Sequence, residues 1–199
     1  AASDVYKRQH LPKLKTYKPT RFKAKDSRYD KDAADFAVMF IESLCHTKGT
    51  WAGKPFELID WQEQIIRDVF GTIKPNGYRQ FNTAYIEIPK KQGKSELAAA
   101  VALLLTCGDG EERAEVYGCA ADRNQAKIVF DVAVDMVRLC PALAKRVKIQ
   151  ESQKKLTYLP TNSFYQVLSA DVANKHGFIP TALFLMSYTR NQIASSLML

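Results

Sequence analysis

The sequence contains no long hydrophobic run and few cysteines, and both absences narrow the classes of protein to which it can belong. No apolar stretch approaches the roughly 20 residues that a membrane-spanning helix needs, and the first residues lack the apolar core of a signal peptide. Four cysteines, at positions 45, 107, 119 and 140, lie far apart without a C-x-x-C pair, which argues against a zinc site or a disulfide framework. We therefore expect an intracellular protein with reduced, buried thiols and no membrane partner.

The sequence also lacks internal repeats and compositional bias. Its 199 residues, 46% hydrophobic and 25% charged, are typical of one folded domain with a substantial core. The chain begins with Ala1 instead of Met, so we expect a fragment of a longer protein.

Positive charge is concentrated at the start of the chain. Residues 1–31 contain ten Lys or Arg and three acidic residues, which leaves about +1 of the net charge of +8 for the remaining residues. We predict that 1–31 form a basic, mobile arm, because chain termini concentrate disorder. The alternative is a contact with a nucleic-acid backbone, which needs only positive charge.

Two helices are predicted before the first long strand. Apolar residues recur at steps of three and four from Ala33 to Leu44, with Asp32 as the N-cap. A second amphipathic helix is predicted to begin with Asp60 as its cap and Glu63 as the reciprocal capping residue, and to end at Gly71.

Strands and helices then alternate. The strand Thr83–Ile88 precedes a helix over Ser95–Leu105, and the strand Glu115–Ala120 precedes a helix from Asp122 to Leu139. This order predicts an α/β fold, with a central, mostly parallel sheet and helices on both faces. Three further short strands are predicted at Val147–Gln150, Leu156–Leu159 and Phe164–Ser169, before an apolar run at Ala182–Met186.

The turn after Thr83–Ile88 has the composition of a phosphate-binding loop. Gly93 allows backbone amides to approach phosphates, Lys94 is able to reach their β and γ oxygens, and the Ser95 hydroxyl is a ligand for Mg²⁺. The position five before Gly93 is Ile88, where the standard Walker A motif has glycine, so this is a variant motif. The alternative is an ordinary basic turn between a strand and a helix.

Three more residues of this turn are candidate nucleotide ligands. Lys91 and Gln92 precede Gly93, and Lys90 precedes both. Because phosphoryl transfer uses added cations against the charge that develops on the γ-phosphate, we predict that Lys90 is a catalytic finger in cis. The alternative is that Lys90 and Lys91 point into solvent.

Between residues 33 and 185 the sequence resembles the large subunit of tailed-phage terminases, in the branch of phage HK97. Trp61 and Gln62 end a segment similar to the family's adenine motif, and the phosphate loop is similar to the family's loop without its first glycine. The segments that carry the resemblance are Leu58–Gln62, Ile88–Ser95, Tyr117–Ala126, Ser169–Asp171 and Lys175–Gly177.

The resemblance implies a P-loop ATPase domain over 32–186, with ATP and Mg²⁺ as cofactors and Trp61 and Gln62 at the adenine. It implies a motor that drives double-stranded DNA into a procapsid in the cytoplasm of the infected bacterial host. The implied partners are a small subunit, a portal protein and further copies in a ring, and the family's nuclease domain is not expected in this chain. From the residues alone, core packing is favoured for Trp61, whereas Gln62 is equally suited to the surface of a first helical turn.

The sequence departs from the family after residue 185. There the family has an Asp-Glu pair that holds Mg²⁺ and activates water, but this chain has Met186 and Ser187 and no acidic residue after Asp171. We therefore expect ATP binding without hydrolysis. The atypical tail, 187–199, suggests a frameshift or a truncated gene.

Several other polar residues are assigned no catalytic role. Asp122 and Gln125 are predicted to cap a helix, and His176 is predicted to be a loop residue.

Two other functions fit the residues. A helicase-like ATPase acting on nucleic acid would have the same loop and sheet. A basic DNA-binding or assembly module would bind DNA in a salt-sensitive manner without nucleotide.

Overall fold

The computed structural model describes residues 24–88, 92–120, 123–169, 181–188 and 193–198. In these ranges the chain forms a seven-stranded sheet with helices packed on it and a separate two-stranded sheet, so the predicted α/β class is confirmed. The helices are α1 (Lys31–Glu42), α2 (Asp60–Gly71), α3 (Lys94–Leu103), α4 (Arg123–Leu139) and α5 (Pro141–Ala144). The strands are β1 (Arg28–Tyr29), β2 (Thr72–Ile73), β3 (Thr83–Ile88), β4 (Glu115–Ala120), β5 (Val147–Gln150), β6 (Lys155–Tyr158), β7 (Ser163–Ser169), β8 (Ala182–Tyr188) and β9 (Ile193–Met198).

Helix α1 is capped two residues earlier than the sequence pattern predicts. Asp30 has an extended backbone and its carboxylate accepts a hydrogen bond from Ala33 N, whereas Asp32 lies within the helix. Ser27 is buried, and β1 pairs with β2. Residues 27–31 of the predicted arm therefore belong to the folded part, while 1–23 lie outside the described residues.

Helix α2 has the predicted bounds but not the predicted cap. Ile59 occupies the cap position, and its amide donates to Oε1 of Gln62 at 3.2 Å. Asp60 is instead the first helical residue. Glu63 does not complete a capping box, because its side chain is buried and paired with Arg67.

The seven-stranded sheet is mixed. Its order is β3-β9-β8-β4-β7-β6-β5, and two of its six neighbouring pairs, β4 with β7 and β4 with β8, are parallel. The expectation of a mostly parallel sheet fails for two reasons. Short connections join β5, β6 and β7, and such connections allow only antiparallel pairing. Strand β9, in the tail, runs antiparallel between β3 and β8.

The core lies between the sheet and the central helices. Helix α3 packs on α4, and α4 packs on β4 and β7. Three alanines of α3 are fully buried, at positions 99, 100 and 102, and small side chains allow the two helices to approach closely. The buried face of α3 fixes the orientation of its first turn, which follows the predicted phosphate loop.

Two further observations concern the cysteines and membrane-spanning helices. All four cysteines are buried and none of them forms a disulfide bond, as the sequence analysis predicts. Within the described ranges, no helix combines the length and apolar character needed to cross a membrane.

Candidate nucleotide site

Gly93 forms the turn that begins α3. It is the N-cap of the helix, with φ 72° and ψ 14°, in the left-handed region that favours glycine. A Cβ atom at Gly93 would lie 3.7 Å from Nε2 of Gln62, and this is the sole contact within 4 Å that the described residues offer it beyond its chain neighbours. Gly93 is exposed, so a ligand is able to approach its backbone.

The first turn of α3 presents backbone amides at this opening. The amide of Leu97 donates to the Gly93 carbonyl at 3.0 Å, which closes the first helical turn. The amides of residues 94–96 precede that bond and have no acceptor within the helix. Together with the helix dipole, they form a site that favours an anion.

Lys94 is the first residue of α3 and is 8% exposed. Desolvation lowers the pKa of its ammonium group, and the nearby carboxylate of Glu87 partly opposes that effect. A cation in this position gains more from an incoming anion than a fully solvated lysine does, because part of its desolvation has already occurred. Ser95, the predicted Mg²⁺ ligand, follows it and is half-buried.

The other predicted site residues are placed as follows. Gln62 is 5% exposed and its side chain lies beside Gly93, so these two predicted site residues meet in space. Trp61 is partly buried and packs on the core, in agreement with the packing alternative. Gln92 is exposed. Lys90, Lys91, Asp122 and His176 lie outside the described residues, as does the side chain of Gln125.

Glu96, in the first turn of α3, belongs to a hydrogen-bonded cluster that the sequence patterns did not reveal. The carboxylate of Glu96 accepts hydrogen bonds from the Thr47 amide at 2.9 Å and the Thr47 hydroxyl at 3.1 Å, and contacts Nδ1 of His46 at 2.8 Å. Burial by itself would raise the pKa of Glu96, but the bonds from Thr47 and His46 outweigh it and lower the pKa. Because about 50 residues separate these partners, no local pattern could have revealed them.

His46 and Thr47 belong to a closed loop over residues 45–55, which we call the anchor loop. Cys45 bridges to Pro55, His46 N donates to the Lys54 carbonyl at 2.9 Å, and Gly53 N donates to the His46 carbonyl at 2.8 Å. At its tip Trp51 is 58% exposed, with Nζ of Lys54 4.8 Å from the ring centroid.

Residues 60–195 match the family model described as "Terminase large subunit, ATPase domain". The chain belongs to this family. The terminase large subunit of Enterobacteria phage HK97 is 35% identical over 150 residues, which make up 74% of this chain and 29% of that protein. The crystal structure of the HK97 large terminase superposes with a TM-score of 0.64 at 33% identity, covering 76% of this chain and 30% of that one. This terminase chain therefore spans less than a third of the length of the relatives it matches.

The family assignment agrees with the resemblance seen in the sequence. In this terminase ATPase domain Gly93, at the start of α3, and Gln62, at the start of α2, lie side by side. Strand β8 ends at Tyr188 and includes Met186 and Ser187, where the sequence analysis looked for acidic residues.

Proposed function

We propose that this terminase ATPase domain binds the triphosphate of ATP at the turn between β3 and α3. One observation carries the proposal. Gly93, in a left-handed conformation, opens the N-terminus of α3 next to the desolvated Lys94 and the side chain of Gln62. An anion-binding turn, a partly buried cation and a neutral amide together suit a nucleotide better than they suit a plain surface turn.

The residues present fit the phosphates. The amides of the first turn of α3 point toward the opening, and the absence of a side chain at Gly93 leaves room for phosphate oxygens. Lys94 supplies the cation, and Lys91 and Gln92 extend the loop. The phosphates would offset part of the desolvation that lowers the pKa of Lys94.

The residues also fit a magnesium ion that arrives with the nucleotide. The Ser95 hydroxyl is an oxygen ligand of the type that Mg²⁺ prefers, and the ion usually keeps several waters, so few protein ligands suffice. When bound, Mg²⁺ neutralises charge on the phosphate oxygens.

The adenine end of the site would consist of Trp61 and Gln62. The amide of Gln62 has a second lone pair on Oε1 beyond the one used by Ile59 N, so it offers both a donor and an acceptor. Trp61 would contribute apolar surface at its partly exposed edge.

Hydrolysis is a separate question from binding. Lys90 would act as a cationic finger near the γ-phosphate, in line with the family's chemistry. Met186 and Ser187 provide no carboxylate to orient a water molecule. We therefore propose that this chain binds ATP and turns it over negligibly.

The wider role follows from the family. We propose that the protein from which this chain derives translocates double-stranded DNA into a procapsid in the infected bacterial cytoplasm. Its partners would be a terminase small subunit, a portal protein and further copies of itself in a ring. The support is membership of a family whose HK97 relative is named as a terminase large subunit.

The direct test is the Kd of a fluorescent ATP analogue, measured with and without Mg²⁺. Lys94→Ala should weaken binding at least about tenfold, because it removes the cation nearest the phosphates. Lys148→Ala is the matched control, since it removes the same charge from β5, at the opposite edge of the sheet from β3. It should bind as the unmodified chain does.

Two results would contradict the proposal. If the unmodified chain binds no ATP analogue but binds DNA in a salt-sensitive manner, the basic DNA-binding alternative gains support. If hydrolysis is measurable and is lost in Lys94→Ala, the claim of negligible turnover is wrong.

A further inference from the structure

We propose that Glu96 is a positioning residue for the nucleotide site, which ties the first turn of α3 to the anchor loop through His46 and Thr47. The inference rests on the proposed ATP site, and it assigns a role to three residues that the phosphate-loop motif does not include. Glu96 follows Lys94 and Ser95 directly, so fixing its side chain fixes the turn that carries them.

Both oxygens of the Glu96 carboxylate are engaged. Oε1 accepts from the amide and hydroxyl of Thr47, and Oε2 contacts the imidazole of His46 at 2.8 Å. An acidic residue in a first helical turn is favourable without any partner, because of the helix dipole. The three bonds from one distant segment add to that general preference. They fix the direction of the Glu96 side chain and favour its charged form.

The anchor loop is a firm attachment point. Its own backbone bonds close it independently of Glu96, and it continues directly into the buried Phe56. The His46 ring packs on Phe56 with centroids 4.6 Å apart. A side chain bound to His46 is therefore bound, through one ring contact, to the core.

The two ends of one chain segment reach the start of α3. The segment leaves α1, forms the anchor loop at Glu96 and then enters α2, where Gln62 lies beside Gly93. The first turn of α3 is thus held by a hydrogen-bonded carboxylate and has the amide of Gln62 as a neighbour. This arrangement would keep the first-turn amides converged on one point, which a polyphosphate ligand requires.

The test compares the affinity for an ATP analogue with the free energy of unfolding in the same variants. Glu96→Ala should weaken binding by about tenfold, and His46→Phe should weaken it less, because it leaves both bonds from Thr47 intact. His46→Phe retains the ring contact with Phe56 while removing the bond to Glu96. The double variant should lose little more than Glu96→Ala alone, because that change already removes the bond to His46. Inorganic triphosphate, used as a competitor, should lose affinity by the same factor, since the effect is on phosphate positioning.

Two further variants separate positioning from stability. Glu96→Gln keeps an oxygen for Thr47 and an amide for a neutral His46, so it should restore most of the affinity. Thr106→Val removes a buried hydrogen bond, from Thr106 Oγ1 to the Ala102 carbonyl at 2.7 Å, beyond the far end of α3. It should lower the stability without changing the affinity.

Each result decides the matter. If Glu96→Ala binds normally while Lys94→Ala does not, the positioning role is wrong and the ATP site stands. If affinity falls in proportion to stability in Thr106→Val as well, Glu96 is merely structural. If the unmodified chain binds neither ATP analogue nor triphosphate, both proposals fail. Should Glu96→Ala not fold, Glu96→Gln and Thr47→Val supply the same comparison, with weaker binding expected in Thr47→Val alone.

Discussion

The side chain of Gln62 lies against Gly93, with its Nε2 atom 3.7 Å from the position that a Cβ atom would take there. Its Oε1 atom meanwhile accepts the Ile59 amide at 3.2 Å, at the start of α2. One buried side chain thus joins the beginning of α2 to the beginning of α3. The two motifs that suggested a nucleotide site in the sequence are neighbours in the fold.

Replacing Gly93 with alanine should impair nucleotide binding beyond its effect on stability. A residue with a side chain costs about 1–2 kcal/mol in the left-handed conformation. Gly77→Ala is the control, because Gly77 has φ +85° and open space around it. Both variants should lose similar stability in denaturant unfolding, and Gly93→Ala alone should weaken binding of the ATP analogue. Equal affinities in the two variants would show that Gly93 does not line the site.

Replacing Gln62 with glutamate separates its two contacts. The carboxylate keeps an acceptor for the Ile59 amide, so α2 should remain intact. A negative charge beside Gly93 should repel phosphates and weaken binding of the analogue by about tenfold or more. Gln153→Glu adds the same charge at an exposed position beyond β5 and should leave the affinity unchanged. Normal binding by Gln62→Glu would place the phosphates elsewhere.

Arg67 is expected to be critical for stability. It is 3% exposed, and its Nε donates to Glu63 Oε1 at 2.7 Å, in a site where Glu63 is fully buried. Arg67→Met would leave that carboxylate without its cation, which costs about 3–5 kcal/mol. Lys31→Met, at an exposed partner of Asp35, should cost much less stability than Arg67→Met. Denaturant unfolding measures the free energy of unfolding of both variants. Equal losses would contradict a dominant contribution from the buried pair of Arg67 and Glu63.

Asp35 should make stability depend on pH in acid. Burial by itself would raise its pKa, but Lys31 and Arg67 outweigh that effect and hold it below the ordinary value of 3.8. A carboxylate whose pKa is depressed by folding stabilises the folded state fully at pH values above its ordinary pKa. This stabilisation is lost as the pH falls through the pKa of the folded state. Asp35→Asn should therefore be less stable at neutral pH, and the difference should shrink in acid. A constant difference across an unfolding series in that range would refute this assignment.

Gly118 lies too close to Tyr165 to accept a side chain. A Cβ atom there would lie 2.6 Å from the Tyr165 hydroxyl oxygen and 3.1 Å from a ring carbon, and the ring is fully buried. Gly118→Ala should cost about 1–3 kcal/mol through overpacking. Adding Tyr165→Phe removes the nearest atom, so the double variant should lose less than the sum of the single variants. Additive losses would mean that the strain lies elsewhere in β4.

The sequence predicted those features that short segments determine. The strands β3 and β4 and the bounds of α2 follow from local apolar patterns, and Gly93 was identified because a single residue type suits its backbone. The N-cap of α1 was misassigned, because Asp30 and Asp32 are chemically equivalent candidates. The bond between His46 and Glu96 was missed, since about 50 residues separate the two partners. The pairing of β9 was missed because the tail 187–199 was expected to be atypical; β8 is its neighbour in the chain, whereas β3 lies far earlier.

The position of β3 at the rim of the sheet affects how the site opens. Among the described strands, β3 pairs on one side with β9 and has no neighbour on the other. Edge strands open to solvent at a lower free-energy cost than central strands. The amide hydrogens of β3 should therefore exchange faster than those of the central strands. A ligand bound at the turn after β3 should suppress this local opening. Binding should therefore be measurable as slower amide hydrogen exchange along β3.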